Sequence, residues 1–357
     1  MKYLITLLLL GASISNWAQS PVNTEIQKPK NIILLIGDGM GLSQVSASFY
    51  FNEETSNFTR FNDIGLMRTS SSAQLVTDSA AGATAFASGV KTYNGAVGFS
   101  NKNKPVTSIV EILSESGYAT GVIATSSVVH ATPAAFYAHV KSRRIYQQIA
   151  EQLAESELDF IAGGGDKFFS QRTDGKNLYE DFKAKGFDVH TDALPEMISD
   201  KKQLIILAED GMPKMIDGRG DFLPNSTQMA LDYLSKNEEG FFLMIEGSQI
   251  DWGGHDNDTD YLLGEQIDFD KTIGIALDFA ENNGNTLVIV TADHETGGFT
   301  LSAKGDNYYK LDPTFATSGH SATLIPVFAY GPGSESFRGI YENTDIFHKM
   351  MELLGKK

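Results

Sequence analysis

Residues 31–41 read NIILLIGDGMG, and this stretch is the clearest indication of the fold of the chain. The unbroken apolar run 31–36 is typical of a strand that is buried on both faces, as strands of parallel sheets are. The run leads directly into a glycine-rich turn that carries one carboxylate, Asp38. A nucleotide-binding G-x-G-x-x-G motif is excluded because Leu42 stands where its last glycine would be.

Strand-like and helix-like segments alternate along the rest of the chain. This alternation predicts a single three-layer α/β domain, with a mostly parallel central sheet and helices on both faces, over residues 21–357. The expected strands are 31–36, 66–70, 119–124, 158–162, 204–207, 241–245, 286–291 and 326–330. The expected helices are 105–116, 142–156, 178–185, 226–236, 259–282 and 344–354.

Carboxylates follow three of the expected strands. Asp38 follows the first, Glu246 and Asp251 follow 241–245, and Asp293 with His294 follows 286–291. Ligands of open α/β sheets bind at the carboxyl ends of the strands, so these side chains are expected at one edge. A plain Asp-Gly turn and a polar loop are the alternative interpretations of single clusters.

Composition limits the possible functions. The chain has 357 residues, with 28 basic and 45 acidic ones, and a formal net charge of −17. This balance argues against nucleic acid as a stable partner, and an anionic substrate would need bound cations that reverse the local field. There is no cysteine, so a metal site would have to use His, Asp and Glu.

The first 20 residues have the form of a secretory signal peptide. Lys2 precedes an apolar run at 3–10, and small and polar residues follow up to Ser20. The apolar run is too short for a membrane span, and no cysteine follows that could carry a lipid. We therefore expect a periplasmic or secreted protein without a membrane anchor.

Asp78 and Ser79 stand directly before a run of small residues that is typical of a helix start. A serine hydroxyl there would lie among the free backbone N–H groups of the first turn, which favour negative charge. This is a suitable place for a nucleophile that attacks phosphorus. The alternative is an ordinary helix N-cap, which Asp or Ser commonly provides.

Several motifs closely resemble those of alkaline phosphatases, above all the compact, cold-adapted bacterial members. They occur in family order between residue 32 and about residue 333, which is nearly the whole mature chain. They are TDSAAGATA at 77–85, GVKTYNG at 89–95, ATPAA at 131–135, HVKSR at 139–143 and EGSQID at 246–251. The resemblance implies the alkaline phosphatase fold, phosphate monoesters as substrates and a homodimer.

The resemblance also implies a role for each candidate residue. Ser79 would be the nucleophile and form a phosphoserine. Arg143 would bind two phosphoryl oxygens, held in place by Asp78. The implied ligands of one zinc ion are Asp251, His255 and His320; those of a second zinc ion are Asp38, Asp293 and His294; and those of a magnesium ion are Asp38, Thr132 and Glu246.

Two positions near the third metal and the phosphate differ from some members of the family. Those members carry Asp and Lys where this chain has His130 and Trp252. Both types occur in the family, and we expect these two side chains to contact the substrate region. Because imidazole favours zinc, the metal preference of the third site is open.

Other functions remain as alternatives. A phosphodiesterase of the same superfamily would usually offer threonine as nucleophile and lack the arginine, and a sulfatase would need a C/S-x-P-x-R motif that is absent around Ser79. A secreted adhesion module could be inferred from Arg219-Gly220-Asp221, a tripeptide that is frequent by chance. His139, His190 and His348 are expected to be structural or surface residues. No long pocket motif is visible, so we expect broad tolerance of leaving groups.

Overall fold

The computed structural model describes residues 27–356, and its centre is a ten-stranded, mostly parallel sheet flanked by helices. The predicted signal peptide lies outside the described residues. The strands are β1 Asn31–Gly37, β2 Asp63–Arg68, β3 Ala119–Ser127, β4 Phe160–Gly164, β5 Asp188–His190, β6 Gln203–Ile206, β7 Phe241–Gly247, β8 Thr286–Thr291, β9 Glu295–Thr296, β10 Thr300–Lys304, β11 Asn307–Thr314, β12 His320–Ser321, β13 Ile325–Tyr330 and β14 Gly339–Glu342.

The α-helices connect these strands in the pattern expected of an α/β fold. They are α1 Leu42–Phe51, α2 Ser79–Ser88, α3 Ile109–Glu115, α4 Ala131–Ala134, α5 Tyr146–Glu155, α6 Leu178–Ala184, α7 Phe222–Leu234, α8 Gln249–Asp256, α9 Thr259–Asn283 and α10 Thr344–Leu353. Within residues 27–356, no helix is long and apolar enough to cross a membrane.

The sheet order is β14-β2-β13-β8-β1-β7-β3-β4-β6-β5, so β1 lies in the middle between β8 and β7. All residues of β1, β7, β8 and β3 are buried, because helices cover both faces of the sheet there. The predicted fold class is therefore confirmed.

The strand pairing differs from a purely parallel sheet on one side. β13 pairs antiparallel with both β8 and β2, and β14 pairs parallel with β2. The predicted strands 66–70 and 326–330 correspond to β2 and β13, and their direction could not be read from their apolar pattern. Direction depends on the path of the connecting chain.

Helix boundaries were less predictable than helix positions. The predicted helix 105–116 begins only at Ile109, because Ser108 and Glu111 form a capping box, whereas Pro105 pairs with Phe99 in an isolated bridge. The predicted helix 142–156 begins at Tyr146. The predicted helix 226–236 begins earlier, at Phe222, with Pro224 in its first turn, where a missing N–H costs nothing.

The segment between His294 and His320 forms a separate two-stranded hairpin, β10–β11. Its residues are largely exposed, and Tyr308 and Tyr309 on β11 face solvent.

Candidate active site

The carboxylates that follow three strands do meet at one edge of the sheet. β8, β1 and β7 are neighbours, and Ile36 of β1 lies opposite Thr291 on one side and Glu246 on the other. The strands therefore end at the same level. Asp38 follows β1, Asp293 follows β8, and Glu246 and Asp38 are fully buried.

Two glycines allow the backbone to come close enough for these side chains to converge. Gly39 has φ of +75°, and a Cβ atom there would lie 2.8 Å from the Cα atom of Asp251. A Cβ atom on Gly82 of α2 would lie 2.8 Å from the Cβ atom of Asp293. Any larger residue at either position would push the candidate ligands apart.

Asp78 connects the start of α2 with Arg143. Its Oδ1 atom accepts a hydrogen bond from the backbone N–H of Ala81 at 3.0 Å, so Asp78 is the N-cap of the helix. Its Oδ2 atom accepts one from Nη1 of Arg143 at 3.1 Å. The N-cap interpretation and the arginine-holding interpretation are therefore compatible.

Ser79 is the first residue of α2 and is only 2% exposed. Its Oγ atom lies 3.3 Å from Nε2 of His294, the histidine that follows β8. Its place at the N-terminus of α2, where the helix dipole is positive, favours negative charge on the oxygen.

A first group of possible metal ligands consists of Asp251, His255 and His320. Asp251 and His255 lie one turn apart on α8, as their spacing predicts. The Nε2 atoms of the two histidines are 3.1 Å apart, and they lie 3.4 Å and 3.5 Å from Oδ1 of Asp251.

Backbone carbonyls fix the tautomers of both histidines. Nδ1 of His255 donates to the carbonyl of Ser318 at 2.6 Å, and Nδ1 of His320 donates to the carbonyl of Thr77 at 2.8 Å. In the neutral rings, the Nε2 lone pairs consequently face each other and a carboxylate oxygen. Only a cation, a proton or a metal ion, can satisfy three such acceptors, and this is the arrangement of a histidine metal site.

A second group consists of Asp38, Asp293 and His294, all fully buried. Nε2 of His294 lies 3.4 Å from Oδ1 of Asp38 and 3.2 Å from Oδ2 of Asp293. Both carboxylate oxygens of Asp38 and Oδ2 of Asp293 lack a hydrogen-bond partner among residues 27–356. His294 also lies within ligand distance of Asp251 and His320, so it stands between the two groups.

Electrostatics make this second group unfavourable without a cation. Burial, followed by the charges of Asp293, Asp251 and Glu246, raises the pKa of Asp38 well above its usual value. Burial likewise raises the pKa of Asp293. The pKa of His294 falls well below its usual value because of burial and the nearby His320, so the ring is neutral and can act as a ligand.

A third group offers oxygen atoms only. Glu246 and Thr132 are fully buried, and Oε1 of Glu246 and Oγ1 of Thr132 have no hydrogen-bond partner among the described residues. Burial raises the pKa of Glu246 to about 7. With Asp38, these atoms form a set that suits a hard cation such as magnesium.

Arg143 brings positive charge to the same site. Burial lowers the pKa of its guanidinium, but Asp78 and Asp38 outweigh burial and the pKa is raised. The backbone N–H of Arg143 donates to the carbonyl of Gly95 at 2.7 Å, which fixes the start of the side chain. Asp78 thus orients the guanidinium through its Nη1 atom. The Arg143 side chain keeps 21% of its surface exposed.

His130 and Trp252 lie side by side, with ring centroids 5.8 Å apart in an edge-on contact. Nδ1 of His130 is shielded and has no hydrogen-bond partner among the described residues. Burial and the charge of Arg143 lower the pKa of His130 to about 3, so the ring is neutral at neutral pH.

Two residues that support the site were missed by the sequence analysis. Oγ1 of Thr296 donates to Oδ1 of Asp251 at 2.5 Å and lies 3.2 Å from Nδ1 of His294. Oε1 of Glu295 accepts hydrogen bonds from Gln44 and from the backbone of Phe299, and Oε2 accepts one from Ser321. The only sequence signal was their position directly after His294.

The histidines that we expected to be structural or surface residues lie outside the candidate ligand groups. His139 donates to the carbonyl of Gly98 and to Glu111, whereas His190 is on the edge strand β5 and His348 is on α10. The adhesion interpretation of Arg219 is wrong, because its guanidinium is fully buried.

Comparisons with known proteins agree with this geometry. The family model described as alkaline phosphatase matches residues 29–318. The chain is 34% identical to "Alkaline phosphatase 4" of Bacillus subtilis, over 91% of this chain and 88% of that protein. It is also similar to the solved structure of alkaline phosphatase from the Antarctic bacterium TAB5, with 53% identity and a TM-score of 0.92 over 93% of this chain and 100% of that one.

A histidine-to-aspartate variant of the TAB5 enzyme, solved with Mg bound in the M3 site, is 53% identical with a TM-score of 0.91, over 93% of this chain and 100% of that one. Sequence, fold and strand-end chemistry thus agree. The chain belongs to the alkaline phosphatase family of metal-dependent phosphoric monoester hydrolases.

Proposed function

We propose that this enzyme hydrolyses phosphate monoesters through a phosphoserine on Ser79, with broad tolerance of leaving groups. One observation carries the proposal. The Ser79 hydroxyl lies 3.3 Å from His294, in a site that holds an anion-binding arginine and several buried acceptors without partners. A phosphate dianion with its cations would satisfy both sets of groups.

The donor sets support two zinc ions and one magnesium ion. Asp251, His255 and His320 would hold one zinc, Asp38, Asp293 and His294 the other, and Asp38, Thr132 and Glu246 the magnesium. When bound, these ions would offset the acidic site and stabilise the oxygens that enter and leave phosphorus.

The chain's own residues account for binding and nucleophilic attack. Arg143 pairs two phosphoryl oxygens with its planar fork, and Asp78 keeps the fork oriented. Oγ of Ser79 gives up its proton and attacks phosphorus, the bond to the leaving-group oxygen breaks, and that oxygen takes up a proton. Water then gives up a proton and attacks the phosphoserine, the bond from phosphorus to Oγ breaks, Oγ takes up a proton, and inorganic phosphate leaves.

The test is to trap the covalent intermediate. Wild-type enzyme quenched in acid during turnover of p-nitrophenyl phosphate should carry one phosphate on Ser79, detected by mass spectrometry of the peptide. The Ser79→Ala variant should carry none and turn over several orders of magnitude more slowly, yet still bind phosphate. Near wild-type turnover by Ser79→Ala would refute the assignment.

A phosphodiesterase of the same superfamily is the alternative function. Arg143 separates the two, because a monoester offers the guanidinium free oxygens that a diester partly blocks. Arg143→Ala should cost about 2–4 kcal/mol in kcat/KM for p-nitrophenyl phosphate and clearly less for bis-p-nitrophenyl phosphate. An equal loss for both esters would count against a monoesterase.

We propose that His130 sets the metal preference of the third site. In the TAB5 enzyme, the variant with aspartate in place of a histidine has Mg bound in the M3 site. The neutral ring of His130, beside the oxygen-only set, would bind magnesium less firmly than a carboxylate and would accept zinc. Excess zinc should therefore inhibit, and His130→Asp should weaken that inhibition; identical zinc titrations of the two proteins would exclude this role.

Export and assembly are further parts of the proposal. We propose a periplasmic or secreted homodimer without a membrane anchor, based on the apolar run at residues 3–10 and on the family resemblance. N-terminal sequencing of the exported protein should find cleavage around residues 18–20, and light scattering during gel filtration should give twice the chain mass.

A further inference from the structure

A groove extends outward from the candidate active site. Its inner part is a cavity of about 150 Å³, lined by His130 and Trp252 together with Tyr146, Lys167 and Phe168. Its outer part is a cavity of about 530 Å³ that shares the last three residues. We call the two cavities together the aromatic groove.

The groove is joined to the site through short stretches of chain. Tyr146 begins α5 only three residues after Arg143, and Trp252 follows Asp251 on α8. A Cβ atom on Gly211 would lie 2.7 Å from Cη2 of Trp252, so the bare backbone of Gly211 packs on the indole and supports that wall. A group attached to a phosphate at Arg143 can therefore reach the groove.

Tyr146 and Phe168 give the groove its chemical character. Their ring centroids are 5.1 Å apart with an interplanar angle of 34°, and both side chains are half-buried. The ammonium group of Lys167 lies 5.0 Å from the centroid of Phe168, and Lys167 also pairs with Asp210. The partly exposed rings offer a planar ligand stacking or edge contacts.

The charged side chains that line the groove are also compatible with an anionic phosphate ester. The whole chain carries −17, but the exposed Arg144 lines the outer cavity, and its guanidinium forms no ion pair within residues 27–356. Glu209 lines the same cavity, so the charges are mixed rather than acidic. An anionic ester is not repelled there as it would be over most of the surface.

We propose that the aromatic groove is a leaving-group subsite that favours phosphate monoesters with a planar aromatic leaving group. This inference rests on the proposed monoesterase function and adds a preference to it. Alkyl phosphates are still hydrolysed, because the phosphoryl group makes its contacts at Ser79 and Arg143. The aromatic ring is either attached directly, as in aryl phosphates, or carried on a sugar, as in nucleoside monophosphates.

The kinetic test removes the planar rings but keeps apolar volume. Phe168→Leu and Tyr146→Leu should each lower kcat/KM for phenyl phosphate or adenosine 5′-monophosphate by about three- to tenfold, and leave kcat/KM for 2-glycerol phosphate unchanged. Whichever aromatic ester responds identifies the position of the ring. The leucine variants should remain folded because the replaced side chains are only half-buried.

Tyr118→Leu is the matched control. Tyr118 is also half-buried, and its ring centroid lies 5.3 Å from the ammonium group of Lys356. It lines a cavity at the other end of the sheet. This variant should leave all three values of kcat/KM unchanged.

Inhibitors that are not hydrolysed show whether the groove binds an aromatic ring, independently of the intrinsic reactivity of aryl esters. In wild-type enzyme, phenylphosphonate should inhibit more strongly than methylphosphonate, and Phe168→Leu should remove about three- to tenfold of that difference. Unchanged ratios for both aromatic esters and both phosphonates would overturn the subsite while leaving the monoesterase function intact. Failure of the wild-type enzyme to hydrolyse any of the three esters would overturn both proposals.

Discussion

Two clusters of buried carboxylates in this molecule differ in whether the chain places a cation among the acids. At the sheet edge, Asp38, Glu246 and Asp293 are fully buried, and several of their oxygen atoms lack partners among residues 27–356. On α9, Glu265 and Asp268 are equally buried but surround the guanidinium of Arg219.

The second cluster, which we call the Arg219 cluster, has a cation of the chain between its acids, and this guanidinium offsets one of the two negative charges. Nη2 of Arg219 donates to Glu265 at 2.6 Å and to Asp268 at 2.8 Å, and only Oδ1 of Asp268 is left without a partner among the described carboxylate oxygens of this cluster. Burial raises the pKa of both acids, while Arg219 opposes the rise. In this molecule, the buried acids around Arg219 therefore have a structural role, whereas those at the sheet edge have free oxygen atoms that can bind cations.

Removing metal ions should have the largest effect, and only on the sheet edge. Chelation should lower kcat by about 10³-fold or more and lower the melting temperature, because bound ions stabilise the folded state by about 4 kcal/mol at 1,000 times their Kd. Zinc with magnesium should restore both. Activity that survives complete metal removal, checked by elemental analysis, would contradict the comparison.

Breaking the Arg219 cluster should have the next largest effect, on stability. Arg219→Met leaves two buried carboxylates unpaired and should lower the free energy of unfolding by about 3–5 kcal/mol, measured by denaturant titration at low temperature. The control is Arg172→Met, since Arg172 is also buried but its partners Glu151 and Asp174 are 37% and 34% exposed. A loss in the free energy of unfolding for Arg172→Met as large as that for Arg219→Met would contradict this distinction between buried and partly exposed acids.

Neutralising one acid should stabilise the metal-free protein more in the sheet-edge cluster than in the Arg219 cluster. Asp38→Asn removes a repelling charge and should raise the free energy of unfolding of the metal-free protein at pH 9 by about 1–2 kcal/mol, although activity is lost. Asp268→Asn should raise it clearly less, because Arg219 already opposes the effect of burial on this acid. A gain for Asp268→Asn as large as that for Asp38→Asn would show that the clusters do not differ in compensation.

The smallest expected effect concerns the half-buried pair of His139 and Glu111, which lies between the two extremes. The hydrogen bond to Glu111 raises the pKa of His139, and although burial alone would raise the pKa of Glu111, hydrogen bonds from His139 and Ser108 lower it. The histidine contribution is present below its unfolded pKa and lost as pH rises. The glutamate contribution is present above its unfolded pKa and lost as pH falls.

The pair should therefore stabilise the protein most at about pH 5–6.5 and less at pH 9, where the hydrogen bond from Ser108 to Glu111 remains. His139→Gln should cost about 0.5 kcal/mol more at pH 6 than at pH 9, a small difference because Glu111 is 39% exposed. Glu111→Gln as a second change should remove this pH dependence; if the difference persists in the double variant, it has another origin.

Features of this protein that depend on local pattern could be predicted from the amino-acid sequence alone. The apolar run of β1 predicted a strand buried on both faces, and the small residues after Asp78 predicted the start of α2 at Ser79. Carboxylates directly after strands predicted one shared edge, because parallel strands end together. The spacing of Asp251 and His255 predicted one helical face.

Features that join distant parts of the chain could not be predicted from local pattern and are visible only in the folded structure. The tautomer of His255 depends on the carbonyl of Ser318, which is 63 residues away in sequence, and the burial of Arg219 depends on α9. The antiparallel direction of β13 and the contact of Thr296 with Asp251 likewise depend on segments that are distant in sequence. Local patterns report which surfaces a segment buries, whereas the partner of a polar atom is set by how the chain returns to it in space.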